Sequence, residues 1–221
     1  MLLDIAGDDA GQTFCRLEID SYEAGGQDWT PLMPGEFKAR TGYDLLPWLP
    51  VMAGHNVGGA EQSKRFYTDF KKVVMTLFAE NYYGYMAELA HQSGGIRLLY
   101  QPYGTGGSKP FSPISTEAIT SQLPDDCFCT EFWLKPENWG WPSVPRHTAV
   151  AHANGLRRVY AEGFTAWAPA AWRESPEDMK CMADRAFVLG VNALMIHAGA
   201  QNPWPGAVRQ LTSAGGGVVH T

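Results

Sequence analysis

The sequence predicts an α/β protein, namely part of a (β/α)8 TIM barrel comprising its strands four to eight. Three observations carry this. First, apolar stretches at 96–101, 127–133, 157–162 and 192–197 recur at about the 30–35 residues of one strand plus its crossover helix. Second, these stretches and an earlier one at 15–22 each deliver a polar group at the end, namely Glu23, Gln101, Glu131, Glu162 and His197. An open sheet spreads its strand ends, whereas a barrel gathers them round one mouth, so convergent acids favour the barrel. Third, a whole barrel takes ~250 residues and eight strands. This chain has 221 residues and five such stretches, so the N-terminal half-barrel is expected to be missing.

Residues 1–14, Gly- and Asp-rich after a brief apolar start, read as a truncated lead-in. Leu17-Glu18-Ile19-Asp20 alternates apolar and polar, so 15–22 reads as a strand running into Glu23 and a Gly25-Gly26 turn. Pro34 opens a short helix over 35–41, which Gly42 ends. Tyr43 to Met52 is a helix or turn broken by Pro47 and Pro50. The longest helix takes Ser63 as N-cap and runs to Gln92. Its apolar face is Phe66, Phe70, Val73, Val74, Leu77, Phe78, Tyr82, Tyr85, Met86 and Leu89. Gly84 bends it, and Gly94-Gly95 stops it. A Gly/Pro/Ser loop at 102–115 and a weak segment at 116–123 follow the second strand. A Pro- and Trp-rich loop at 134–146 leads to a helix at 147–154 closed by Gly155. Ser175-Pro176-Glu177 is an N-cap followed by a first-turn proline, and its helix runs to Leu189. Residues 15–205 are thus the C-terminal part of a barrel domain, and 206–221 an irregular tail.

The composition narrows the function. A net charge of -6 argues against a nucleic-acid partner and an anionic membrane surface. No window holds the ~18 apolar residues of a membrane span. Residues 1–15 show no basic region followed by an apolar one, so no signal peptide is visible. Cys15, Cys127, Cys129 and Cys181 are scattered and read as thiols outside any disulfide. No phosphate-binding glycine motif follows a strand; Gly104-Thr105-Gly106-Gly107 is a flexible loop, which removes the nucleotide reading.

Two carboxylates across a barrel mouth suit glycoside hydrolysis, one protonating the leaving oxygen and one activating water or attacking. Glu23 would end strand four and Glu162 strand seven. Trp29, Tyr103, Trp133, Trp139, Trp141 and Trp167 read as loop aromatics after strand ends, where flat rings cover the apolar faces of sugars. Each residue also has a plainer reading. A glutamate at a strand end can be a solvated loop group, His197 a hydrogen-bonded core histidine, and a tryptophan a loop filler. His152 reads as structural.

Asp20-Ser21-Tyr22-Glu23-Ala24-Gly25, Asp28-Trp29-Thr30, Glu36-Phe37, Arg40-Thr41-Gly42-Tyr43-Asp44-Leu45, Trp48-Leu49-Pro50, Glu131-Phe132-Trp133, Ala151-His152 and Ala161-Glu162-Gly163-Phe164-Thr165 form an ordered series. The series resembles the α-L-rhamnosidases of glycoside hydrolase family 106, over roughly residues 15–205. The resemblance implies a (β/α)8 catalytic domain flanked by β-rich domains. It further implies cleavage of terminal α-L-rhamnose from plant or microbial glycans by inversion, with calcium in the active site. Glu23 is then the general acid and Glu162 the general base, with the two labels open to exchange. Glu131 would hold calcium or the sugar, and Trp29, Tyr103, Trp133, Trp167 and His197 would line the substrate site. The substrate partner would be a rhamnose-containing oligo- or polysaccharide, and the parent protein would be secreted or periplasmic. Two features depart from the pattern. Gln101 stands where the family often carries Glu, and the tail after Trp204, which ends in Ser213 to Thr221, does not resemble the family's continuation. A barrel glycosidase for another sugar, β-galactosidase-like, and a non-catalytic carbohydrate-binding remnant are the alternatives.

Overall fold

A computed structural model describes residues 2–22, 29–101, 126–135, 140–167, 174–197 and 217–218. The chain divides into two compact units: residues 1–98 with 102–123, and residues 99–101 with 124–221.

The first unit holds α1 (Leu2–Ala6), β1 (Arg16–Ile19), α2 (Met33–Thr41), α3 (Leu49–Met52), α4 (Ala60–Phe78) and α5 (Tyr85–Gln92). Its core is aromatic. Phe66, Phe70, Val73 and Val74 recur on one face of α4 and bury Met33, Phe37 and Leu45 with them. Trp48 stacks on Phe66 at 5.7 Å, and Tyr43 meets Phe37 edge-on at 5.0 Å. Gly42, in the left-handed region, ends α2 as expected. Ser63 is not the cap of α4, which begins at Ala60 behind Gly59. The Ser63 hydroxyl instead accepts from the Val57 N–H at 2.8 Å and lies 2.9 Å from the Gly59 carbonyl, tying the preceding loop to the first turn.

The long helix is also not one α-helix. Residues Ala79–Gly84 form a π-turn, which inserts one residue into the helical count. The apolar face consequently slips by one. Tyr83, Ala87 and Ala90 are buried, whereas Tyr85, Met86 and Leu89, expected in the core, are exposed. Gly84 fits because a Cβ there would stand 2.9 Å from the Ala79 carbonyl oxygen. Tyr22, the last described residue before Glu23, packs edge-on against Phe78 at 5.1 Å and Tyr82 at 5.8 Å.

β2 (Arg97–Tyr100) belongs to both units. In the first, the Arg97 N–H donates to the Cys15 carbonyl beside β1. In the second, Leu99 and Tyr100 pair in parallel with Cys127 and Phe128 of β3 (Cys127–Lys135). β3 pairs in parallel with β4 (Val159–Trp167), and β4 with β5 (Ala193–Ile196). Helices α6 (Val144–Ala153) and α7 (Pro176–Val188) make the connections after β3 and β4. α7 carries the expected cap: Ser175 and Asp178 bond reciprocally in a capping box. The sheet order is β1-β2-β3-β4-β5, each strand beside its sequence neighbour. A doubly wound sheet reverses direction at a switch point; a barrel does not, so the sequential order supports a partial (β/α)8 barrel. β6 (Gly217–Val218), in the segment read as an irregular tail, pairs antiparallel with Ala166 and Trp167.

Strand alternation sorts the second unit into two faces. Phe132, Leu134, Ala161, Phe164 and Ala166 pack with Trp141, Val144, Ala186 and Val191 on the helix side. Leu99, Cys127 and Cys129 pack with Tyr160 and Met195 on the other face. None of the four cysteines is in a disulfide, and no described helix is long and apolar enough to cross a membrane.

Candidate active site

Glu131 and Glu162 do not end their strands. β3 continues to Lys135 and β4 to Trp167, because no proline intervenes before Pro136 and a bulge carries β4 past Gly163. The two glutamates are partners in register on neighbouring parallel strands, on the face opposite the helices. Adjacent strands run about 4.8 Å apart, so these two carboxylates are near neighbours along the sheet.

Their surroundings keep them distinct. Glu131 is only 9 % exposed. A buried carboxylate needs donors, and the Trp133 indole N–H donates to its Oε1. Trp133 lies two residues further along β3, hence on the same face, and is itself buried. It sits inside the strand rather than in a loop, where it holds Glu131. Trp141 is likewise a core residue: its indole N–H donates to the Trp133 carbonyl at 3.1 Å and Arg185 lies over its ring.

Glu162 is met by donors from three strands. Gln101, just after β2, donates through Nε2 to Glu162 Oε2 at 2.6 Å. Thr165, on β4 itself, donates its hydroxyl to Oε1 at 3.2 Å. His197, just after β5, places Nδ1 3.1 Å from Oε1 and 2.9 Å from Thr165 Oγ1. The Glu162 side chain is 13 % exposed and His197 31 %. A carboxylate held at both oxygens has its rotamer fixed while the remaining lone pairs stay available to a substrate or water.

Of the residues singled out from sequence, the structure brings together Glu131, Trp133, Glu162 and His197. Trp29 is half exposed, in the first unit. Trp167 is the last residue of β4. Glu23, Tyr103 and Trp139 lie outside the described residues. Sequence reasoning missed Thr165 and the Gln101 contact to Glu162. The available signal was Gly163, since a glycine inside a strand marks a bulge or a close approach.

Calcium takes six to eight oxygen ligands. Among the described residues no group of three or more His, Cys, Asp or Glu side chains is placed to hold a metal. Glu131 and its neighbour are hard oxygen donors of the right kind, but they do not by themselves complete a calcium shell.

A sequentially ordered parallel sheet that carries carboxylates on the face away from its helices is the arrangement of part of an α/β barrel with its site-bearing face inward. The chain belongs to glycoside hydrolase family 106: the family profile, described as alpha-L-rhamnosidase, matches residues 1–213. It is 33% identical over 206 residues to a Formosa agariphila protein provisionally named beta-glucuronidase, covering 92% of this chain and 16% of that protein. It also matches the structure of a rhamnosidase from Novosphingobium sp. PP1Y with a TM-score of 0.71 and 32% identity, covering 89% of this chain and 19% of that one. The chain therefore spans less than a fifth of the length of either relative.

Proposed function

We propose that this chain supplies the general-base side of an inverting α-L-rhamnosidase site. The observation that supports it is the convergence of Gln101, Thr165 and His197 on Glu162. Glu162 takes a proton from a water that attacks the anomeric carbon of a terminal rhamnose. Glu23 protonates the departing glycosidic oxygen, and the sugar leaves with inverted configuration. Inverting pairs keep their carboxyl groups ~6.5–9.5 Å apart to admit that water. Glu131 sits one strand spacing from Glu162, which is too close for that part. The partner acid therefore comes from another strand, and Glu23, following β1, fills the role. His197 and Trp29 contact the sugar in this reading, as do Tyr103 and Trp167.

Glu131 is proposed to share in a calcium shell completed by other residues. Chelation should then abolish rhamnoside hydrolysis and added calcium restore it; activity indifferent to chelator removes calcium from the proposal.

The deciding experiment is hydrolysis of nitrophenyl glycosides by the chain and by its Glu23→Gln and Glu162→Gln variants, with anomer detection by NMR. Hydrolysis of the α-L-rhamnoside, released as the inverted anomer and lost in both variants, supports the proposal. Release of the retained anomer refutes the mechanism. Preference for the β-glucuronide would favour the second reading, which rests on the provisional name of the Formosa agariphila relative.

A further inference from the structure

The bulge in β4 changes which face of the sheet its side chains reach. Ala161 lies on the helix side and Glu162 on the opposite face. Simple alternation would send Gly163 to the helix side, Phe164 to the Glu162 face and Thr165 back to the helices. The structure does otherwise. Phe164 adopts φ +71, a left-handed conformation rare for a bulky residue. Phe132 pairs with Gly163 but Trp133 pairs with Thr165, so β4 carries one surplus residue at this point. Phe164 consequently stays on the helix side, its ring 5.1 Å from Phe132 in edge-on contact, and Thr165 turns to the face of Glu162. Gly163 makes room: a Cβ there would stand 2.7 Å from the Phe132 ring.

The hydrogen bonds then follow from donor arithmetic. The Glu162 carboxylate only accepts when ionised, so the Thr165 hydroxyl proton points to its Oε1. With its single proton so used, Thr165 Oγ1 accepts at 2.9 Å from His197 Nδ1, and the imidazole must carry a proton on that nitrogen. That nitrogen also lies 3.1 Å from Glu162 Oε1, so hydroxyl and carboxylate hold the tautomer together while the hydroxyl orients the carboxylate.

We propose that Thr165, turned inward by the left-handed bulge at Phe164, is a positioning residue that aims Glu162 and shares the His197 Nδ1–H with it. This rests on the assignment of Glu162 as general base. It predicts that the hydroxyl matters rather than the volume. Thr165→Val is nearly isosteric and removes the hydroxyl; Thr165→Ser keeps it. Thr165→Val should lower kcat by about 10- to 100-fold, the usual scale for groups that orient a functional residue. Its KM should rise by less, because Thr165 reaches the sugar only through His197. Thr165→Ser should recover most of the rate. Nitrogen-15 NMR of the imidazoles supplies a readout independent of turnover: the chain should show His197 protonated on Nδ1, and Thr165→Val should shift that Nδ1–H resonance as one of its two acceptors is lost, with Thr165→Ser restoring it. A wild-type kcat in Thr165→Val overturns the proposal, as does equal damage in Val and Ser or a His197 Nδ1–H resonance indifferent to the substitution. If Glu162→Gln keeps full activity, the general-base assignment fails instead. The NMR result then decides by itself whether Thr165 holds the His197 Nδ1–H.

Discussion

Among its described residues, the second unit contains two threonine–histidine pairs with nearly the same geometry. Thr130 Oγ1 lies 3.0 Å from His147 Nδ1, and Thr165 Oγ1 lies 2.9 Å from His197 Nδ1. The first pair is sealed against α6, with Thr130 wholly buried and His147 nearly so, and Phe128 edge-on to the imidazole. The second lies on the other face of the sheet, against a carboxylate, with about a third of the histidine side chain open to solvent. The bond is common to both; the chemistry is not. Between β3 and the helix it satisfies buried polar groups that would otherwise be costly. Beside Glu162 the same bond passes orientation to a group that can take a proton. A threonine–histidine contact therefore becomes a site only where a carboxylate and access accompany it.

The widest gap should separate the carboxylate from both pairs. Glu162→Gln is expected to lower rhamnoside turnover by about 10²- to 10⁴-fold, the range for loss of a general base, while circular-dichroism melting stays close to that of the parent. Thr130→Val should do the reverse. It leaves His147 without its hydroxyl partner in a dry environment, at about 1–3 kcal/mol of stability by urea unfolding. Its kcat, corrected for folded fraction, should not move. A Thr130 variant that loses kcat while keeping its stability would break the distinction between the pairs.

Gly163→Ala tests whether the bulge serves both faces at once. Forcing a methyl against the Phe132 ring should cost about 1–3 kcal/mol as overpacking and, by shifting Thr165, should also slow turnover. A loss of stability without loss of rate would uncouple the bulge from the site. Ser175→Ala is a control remote from either pair. It removes one arm of the α7 capping box, worth about 1 kcal/mol, and should leave the rate alone.

The smallest effect belongs to a polar pair in the first unit. Tyr43 donates its hydroxyl to Asp69 at 3.0 Å. Burial, followed by that hydrogen bond and the Asp69 charge, pushes the phenol up to about 12 from its usual 10.0. The folded protein then holds this proton to higher pH than the unfolded chain does. The contribution is complete below pH 10 and is lost as pH climbs through about 12. Tyr43→Phe should flatten the alkaline fall of the melting temperature in that window; an unchanged fall would show that other groups govern it.

Much of the second unit was legible in the sequence. The spacing of 127–133, 157–162 and 192–197 gave strands that the structure keeps, and Ser175-Pro176-Glu177 announced a helix that begins at Pro176. Glu162 and His197, singled out separately, do meet. What periodicity could not show were places where the period itself breaks. Tyr82, Tyr85, Met86 and Leu89 fit a continuous helical face, yet the π-turn buries Tyr83, Ala87 and Ala90 instead. Glu162 looked terminal because Gly163 follows it, whereas that glycine admits a bulge and the strand continues. Trp133 closes the stretch 127–133 yet also reads as a loop aromatic near Pro136; pairing with β4 carries the strand past it to Lys135 and settles it inside.

The surplus residue at Phe164 also has a meaning for lineage. Strand faces are read two residues at a time, so one extra residue moves everything after it into a new frame. A descendant that lost Phe164 could still pair every strand residue in regular register, and its backbone would relax. Thr165 would then follow Glu162 by two places and still face it, and what the shorter strand would lose is the Phe164 ring packed on Phe132. The surplus residue thus adds a ring to the helix side without displacing the hydroxyl: a straightened strand of unchanged length, not a shortened one, would exchange the chemistry of the two faces.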